Sequence, residues 1–219
     1  MLHTSAVRQP AIITLGRPRG FDANAALRAA IEVFWTRGYA ATSLDDLTNA
    51  MGLSRSSFYA CFGSKHEVLM ASVRLYADER FAALTTQATV NPDARLAIHE
   101  MLAAIANIDG GSRGCLFVNA LAELAPGDAE LVAFAQAHTT RVAALMATIL
   151  VDLGCAQQEA ADCAGALLAL VMGVTTLCKT GVPIAQLEGL LAQSDRLIPA
   201  KNSLERNTRA AKNPCLDTR

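Results

Sequence analysis

Arg55, Ser56, Ser57 and Tyr59 supply a guanidinium and three hydroxyls within five consecutive residues. Carried on one helix face, these groups can hydrogen-bond the edges of nucleic-acid bases, and an arginine can hold a guanine through two donors at once. Thr42, Ser43 and Lys65 stand where two neighbouring helices would start. Backbone N–H groups at a helix start favour an anion independently of side-chain charge, so these three are candidate phosphate contacts. Arg17 and Arg19, in Gly16-Arg17-Pro18-Arg19-Gly20, sit on an arm that Pro and Gly keep from being helical. Such an arm can reach a minor groove or adjacent phosphates.

A second kind of chemistry belongs to Cys115, which follows Gly114 at the start of another helical pattern. A cysteine at a helix start is a candidate reactive group. Catalytic constellations are not found. There is no E-x-x-H pattern for a di-iron bundle, no H-E-x-x-H and no Gly-rich phosphate loop, so no catalytic residue, cofactor or metal is expected. The six cysteines form no C-x-x-C pair.

The elements that must position these groups can be read from their start and stop signals. Asp22 caps a first helix with an apolar face of Leu27, Ala30, Ile31 and Phe34, Trp35 at its edge, and Gly38 as its stop. Ser43 opens a second helix with Leu44, Leu47 and Met51 on one face, and Asp46 completes an approximate capping box. Gly52 fits a left-handed helix end, and Ser54 caps the third helix. There Phe58 and Phe62 share one side, while Ser56, Ser57 and Ala60 face the other, flanked by Tyr59 and Cys61. Gly63 ends it, and Ser64 with Glu67 forms a capping box for the fourth. Two helices joined by a short turn containing Gly make a helix-turn-helix.

The segment GLSRSSFYACFGSKHEVL, preceded by Gly38-Tyr39 and Thr42-Ser43, resembles the DNA-binding signature of the TetR/AcrR family of bacterial transcriptional regulators. The resemblance covers roughly residues 21 to 70. It departs from the usual pattern at His66, where Glu is common, and at Ala60-Cys61, where a polar pair is common. The resemblance implies an all-α fold with a three-helix DNA-binding head and a helical body for ligand binding and dimerisation. It implies a homodimeric repressor that a small molecule releases from a palindromic double-stranded operator. Some such regulators are similar to this chain in Gly-Cys-Leu and in a lysine further on, here Lys179, so Cys115 with Lys179 is an alternative input: a thiol switch for oxidants or electrophiles.

Composition agrees with a helical protein. Of 219 residues, 52% are apolar but only 5% aromatic, and the excess is Ala and Leu, which favour helix over sheet. Charge is uneven: residues 1–66 carry seven Lys/Arg against four Asp/Glu, residues 67–199 seven against fourteen, and the last twenty five against two. A basic end beside an acidic body suits phosphate contact at one end. No secretion signal is visible, and the longest uncharged apolar stretch, Cys163 to Cys178, has sixteen residues, short of the roughly twenty that span a bilayer. A cytoplasmic protein with no membrane partner is the expectation.

Four segments follow: a basic arm over 1–20, the head over 21–68, the body over 69–199 and a disordered tail over 200–219. In the body, helices are expected from Lys65 to about Thr85, from Pro92 through Ile108, from Cys115 to Leu124, from Ala129 to Leu153, from Gln157 to Thr180, and from Pro183 through Ile198. An effector cavity is expected among Met101, Ile105, Cys115, Phe117, Asn119, Phe134, His138, Met146, Met172 and Thr176, suiting a small, mostly apolar ligand. Ala161, Gly165, Ala169 and Gly173 form a small-residue ridge on the Gln157–Thr180 helix, where another helix can approach closely. With Leu187 and Leu191 they are the expected dimer face.

Overall fold

The computed structural model describes residues 22–108 and 111–198, and every regular element in them is a helix. The arm with Arg17 and Arg19, and the tail, lie outside the described residues. In chain order the helices are α1 (Ala23–Arg37), α2 (Leu44–Met51), α3 (Arg55–Phe62), α4 (Lys65–Val90), α5 (Ala94–Ala106), α6 (Leu116–Leu124), α7 (Ala129–Asp152), α8 (Gln157–Leu177), α9 (Ile184–Ala192) and α10 (Ser194–Leu197). The expected fold class is the observed one.

The head forms as its caps dictate. Asp22 accepts from the N–H groups of Asn24 and Ala25, Ser43 and Asp46 make both halves of a capping box, and Ser54 accepts from Ser57 N–H. Gly52 takes φ +66° and ψ 33°, a left-handed conformation that a residue without Cβ adopts at little cost. Ser64 accepts from Glu67 N–H at 3.1 Å, but the reciprocal bond expected from Glu67 is not made; its carboxylate lies over Gly63 instead. Ala30, Phe34, Leu47, Phe58, Val68 and Leu69 close the core between α1, α2, α3 and the start of α4. Phe58 is wholly buried, so its burial stabilises by roughly 1.5–3 kcal/mol.

That core does not end with the head. Leu116, Phe117 and Ala120 of α6 and Leu131 and Ala135 of α7 belong to the same apolar cluster. A second cluster joins the far half of α4 to α5, α7, α8 and α9 through Leu84, Ile98, Met101, Met146, Leu167 and Leu187. Helix α4 is therefore a beam shared by both clusters, and a division at residue 68 falls on it.

Several boundaries differ from the sequence reading. α4 runs to Val90 rather than Thr85, because Thr85, Thr86 and Thr89 turn their hydroxyls onto carbonyls of the preceding turn and so cause no break. It stops at Asn91, the residue before Pro92, where helical geometry is disfavoured. α5 ends at Ala106 because Asn107 adopts φ +47°, two residues earlier than the Gly pair suggested. The expected last helix is split at Gln193 into α9 and α10. α8 tightens into a 3-10 turn over Cys178–Thr180.

Candidate nucleic-acid interface and effector cavity

Short α3 presents the predicted reading face. Ser56 and Tyr59 are exposed, Tyr59 at 55%, while Phe58 and Phe62 pack inward with their rings 6.1 Å apart. Ser57 is half-buried, and Ser54 ties the serines together, its hydroxyl 2.9 Å from those of both Ser56 and Ser57. Arg55 is exposed but engaged: Nε and Nη2 donate to the Asp45 carboxylate of α2 at 2.7–3.1 Å. An ion pair this exposed is worth about 0–1 kcal/mol, so a base or phosphate can take Arg55 from Asp45 at small cost.

The candidate phosphate contacts separate into different environments. Ser43 is exposed, its N–H and hydroxyl both donating to Asp46. Those two bonds, with Arg37 beside them, hold the Asp46 carboxyl below its usual range. Lys65 sits 4.4 Å over the Tyr39 ring and donates to the carbonyl of Thr42 at 2.5 Å, which pins the start of α4 to the α1–α2 corner. Thr42 itself is buried, at 1% exposure, with its hydroxyl donating to Gly38 C=O at 2.6 Å. A covered side chain bonded to its own corner holds the corner's shape, and its hydroxyl is already engaged there.

Contacts between head and body concentrate on α6 and the turn before it. Glu123 accepts from the N–H groups of Tyr39 and Ala40 at 2.8 and 2.6 Å. Trp35 Nε1–H donates to the carbonyls of Arg113 and Gly114, both at 3.2 Å, while the Arg113 guanidinium stacks 4.4 Å from the Trp35 ring and pairs with Glu32. At the start of α7, Asp128 caps Leu131 N–H and lies 2.6 Å from His66 Nε2. The N–H of Leu131 and then His66 keep the Asp128 carboxyl below its usual range.

Cys115 sits directly at this junction and opens a cavity of ≈ 60 Å³ enclosed by α4, α5, α6, α7 and α8. Of the predicted lining, Ile105, Cys115, Phe117, His138 and Met172 are there. Met101 and Met146 are instead fully buried in the body core. Phe134 packs behind the wall, 6.2 Å from Phe117 and 5.9 Å from His138 between ring centres. Asn119 faces the junction, bonding Arg113 C=O and accepting from Lys179 Nζ, and Thr176 is exposed. The sequence reading missed Tyr76, Arg80, Phe81, Leu84, Val118, Thr139, Val142 and Leu168. They lie on α4, α6, α7 and α8, and the pairing of those helices is not encoded in the periodicity of any one of them.

Inside the cavity, the Tyr76 hydroxyl donates to Cys115 Sγ at 3.6 Å, and burial with the nearby thiol pushes the phenol well above its ordinary pKa. His138 Nδ1 is 3.3 Å from Arg141 Nη2, and burial followed by that guanidinium lowers the imidazole pKa. Lys179 reaches the same corner: a Cβ on Gly114, at φ +64°, would lie 3.1 Å from Lys179 Cγ and from Thr175 O. Its stem therefore packs on the residue before Cys115, with the ammonium on Asn119.

On the opposite side of α8, Ala161, Gly165, Ala169 and Gly173 are all exposed. Leu191 is half-buried, while Leu187 belongs to the chain's own core at 3% exposure. The Gln157–Thr180 helix contains an apolar eighteen-residue stretch with a mean hydropathy of 1.8, one third of it buried; by length and composition alone it could cross a membrane.

The family profile "Bacterial regulatory proteins, tetR family" matches residues 26–72. The chain is 30% identical over 123 residues to an uncharacterized HTH-type transcriptional regulator, YezE, of Bacillus subtilis (strain 168), covering 55% of this chain and 63% of that protein. It is 36% identical over 121 residues to the HTH-type transcriptional repressor ComR of Escherichia coli (strain K12), covering 53% and 57%. The chain thus spans less than two thirds of the length of these curated relatives. Among solved structures, a cysteine mutant of the TetR family regulator CifR, complexed with 26-bp double-strand operator DNA, superposes with a TM-score of 0.68 at 28% identity, covering 84% of this chain and all of that one. The reduced form of Escherichia coli NemR shares the fold, with a TM-score of 0.70 at 21% identity over 81% and 97% of the two chains. With its capped helix-turn-helix, its shared α4 beam and its helical body, the chain carries the TetR-family signature over residues 26–72 and shares the helical fold of TetR family regulators of known structure.

Proposed function

We propose that the protein is a DNA-binding transcriptional regulator, a homodimeric cytoplasmic repressor that leaves a palindromic operator when a small, mostly apolar effector fills the α4–α8 cavity. The observation that carries this reading is continuity. The helix that opens at the cavity with Cys115 also grips the head, through Glu123 on the α1–α2 corner and through the Gly114 carbonyl on Trp35. A ligand that shifts α6 therefore moves α3 relative to its twin. Support for DNA as partner comes from the exposed Arg55, Ser56 and Tyr59, and from CifR, which binds double-strand operator DNA. Support for a second copy comes from the exposed small-residue ridge of an apolar α8, which a partner helix would cover. Arg17 and Arg19 remain candidate arm contacts.

The test is anisotropy on a DNA duplex selected for binding, titrated with small apolar compounds. Release by a compound that also protects the protein against heating supports the reading. Tight binding in the cavity with the duplex still bound refutes it.

A second reading has its own observation: the Cys115 thiol lies in the cavity wall, within reach of the Tyr76 hydroxyl and next to the packed stem of Lys179. In this reading an oxidant or electrophile acts at Cys115. Loss of electrophile-induced release in Cys115→Ser, with DNA affinity unchanged, supports it; unchanged release sinks it.

A further inference from the structure

Among the described residues, Arg28, Arg37, Arg55, Arg74, Arg95, Arg113 and Arg141 each rest on a carboxylate. Arg80 does not, and neither does Arg196 of α10. Arg80 is the one that lines the cavity. Its own neighbours Asp78 and Glu79 are taken, by Arg141 and Arg28 respectively. Its guanidinium lies 5.6 Å from the centre of the Tyr76 ring and within reach of that hydroxyl.

The rest of the lining sharpens the asymmetry. Among the described residues, no Asp or Glu faces the cavity. His138 Nδ1 accepts from Arg141, which leaves the ring proton on Nε2, a second donor. The remaining polar groups are the Tyr76 hydroxyl, which donates to Cys115 Sγ, the Thr139 hydroxyl, which donates to Ala135 C=O, and the Cys115 thiol, a weak donor. Everything else is aliphatic or aromatic. A neutral apolar ligand would strip water from the Arg80 fork and give nothing back, whereas a carboxylate meets it with two parallel charge-assisted bonds. The ≈ 60 Å³ corresponds to roughly four to six waters, at about 10–15 Å³ each, which sets the size of the body behind the carboxylate.

We propose that the effector is a small organic monocarboxylate whose carboxylate is held by Arg80 and whose short apolar body lies against Phe81, Phe117, Val142 and Met172. This deepens, and rests on, the reading of the cavity as the effector site.

The experiment uses the full chain and matched pairs: propanoate, butanoate and benzoate against propanamide, butanamide and benzamide, at constant ionic strength. Binding is followed by calorimetry and thermal shift, and DNA release by anisotropy on a selected duplex. Acids should bind about 10- to 100-fold tighter than their amides, the range set by hydrogen bonds to a charged group. Arg80→Gln should erase that preference, while Arg80→Lys, which keeps charge without the fork, should retain part of it. Arg80 is half-exposed and carries no ion pair, and thermal melting confirms that each variant is folded. Amides binding as well as acids, acid affinity unchanged in Arg80→Gln, or no acid binding at all would each overturn the proposal. Acids that bind through Arg80 yet leave the duplex bound would support the carboxylate site and refute release by effector.

Discussion

Arg55 rests on Asp45 through three hydrogen bonds, yet both side chains are more than 60% exposed, so the pair positions the guanidinium without trapping it. Arg55→Ala should therefore remove base-specific affinity: about 1–3 kcal/mol on a selected duplex and much less on random DNA. Equal losses on both would show that Arg55 touches only phosphate. Lys65→Ala should weaken every sequence alike and flatten the salt dependence. It also removes the bond to Thr42 C=O, so melting must be measured beside it. At the cavity, His138 gives a pH signature. Burial, then Arg141, lowers its folded pKa against an ordinary 6.5, with Asp78 opposing. Above 6.5 the imidazole is neutral in both states and contributes no pH dependence. As pH falls below 6.5 the unfolded chain takes up a proton that the folded site resists, so stability drops. The fall in melting temperature from pH 7.5 to 5.5 should be larger in wild type than in His138→Gln. Equal falls would mean that His138 is not held neutral.

Helices carry these residues through caps, and the caps were legible. Asp22, Ser43 and Ser54 each bond the N–H groups that their spacing assigns them, because capping is local and needs no knowledge of the rest of the chain. The cavity was half-legible. Cys115, Phe117, His138 and Met172 sit on the stretches that read as pocket walls, whereas Tyr76, Arg80 and Thr139 entered it through the pairing of α4 with α7, which periodicity does not encode. Met101 and Met146 failed for the converse reason: flexible apolar side chains fill the core as readily as they line a cavity. At this scale the coupling element is α6. Glu123→Ala removes two bonds from the α1–α2 corner and should leave ligand affinity intact while reducing ligand-driven release of DNA. Its cost in stability should be about 1–2 kcal/mol, a few degrees of melting temperature. Undiminished release would show that the signal leaves the cavity by another route.

For the whole molecule, the account requires two heads at fixed spacing, hence a dimer. A Cβ added at Gly165 or Gly173 meets nothing within 4 Å in the protomer, so a large side chain there is harmless to one chain and obstructive between two. Gly165→Phe should sediment as a folded monomer and lose operator affinity more than random-DNA affinity; a dimer with unchanged affinity would move the interface elsewhere. The charge distribution fits the same picture: residues 1–66, with the arginines of the arm included, are basic beside an acidic body, which directs DNA to one end. The central claim, that this chain reads a palindrome as a symmetric pair of α3 helices, is tested most directly by selecting bound duplexes from a random pool and sequencing them. The account predicts enrichment of an inverted repeat, with half-sites about one helical turn or its multiples apart, and loss of that enrichment with Arg55→Ala. A bound pool no different from the starting pool would contradict it.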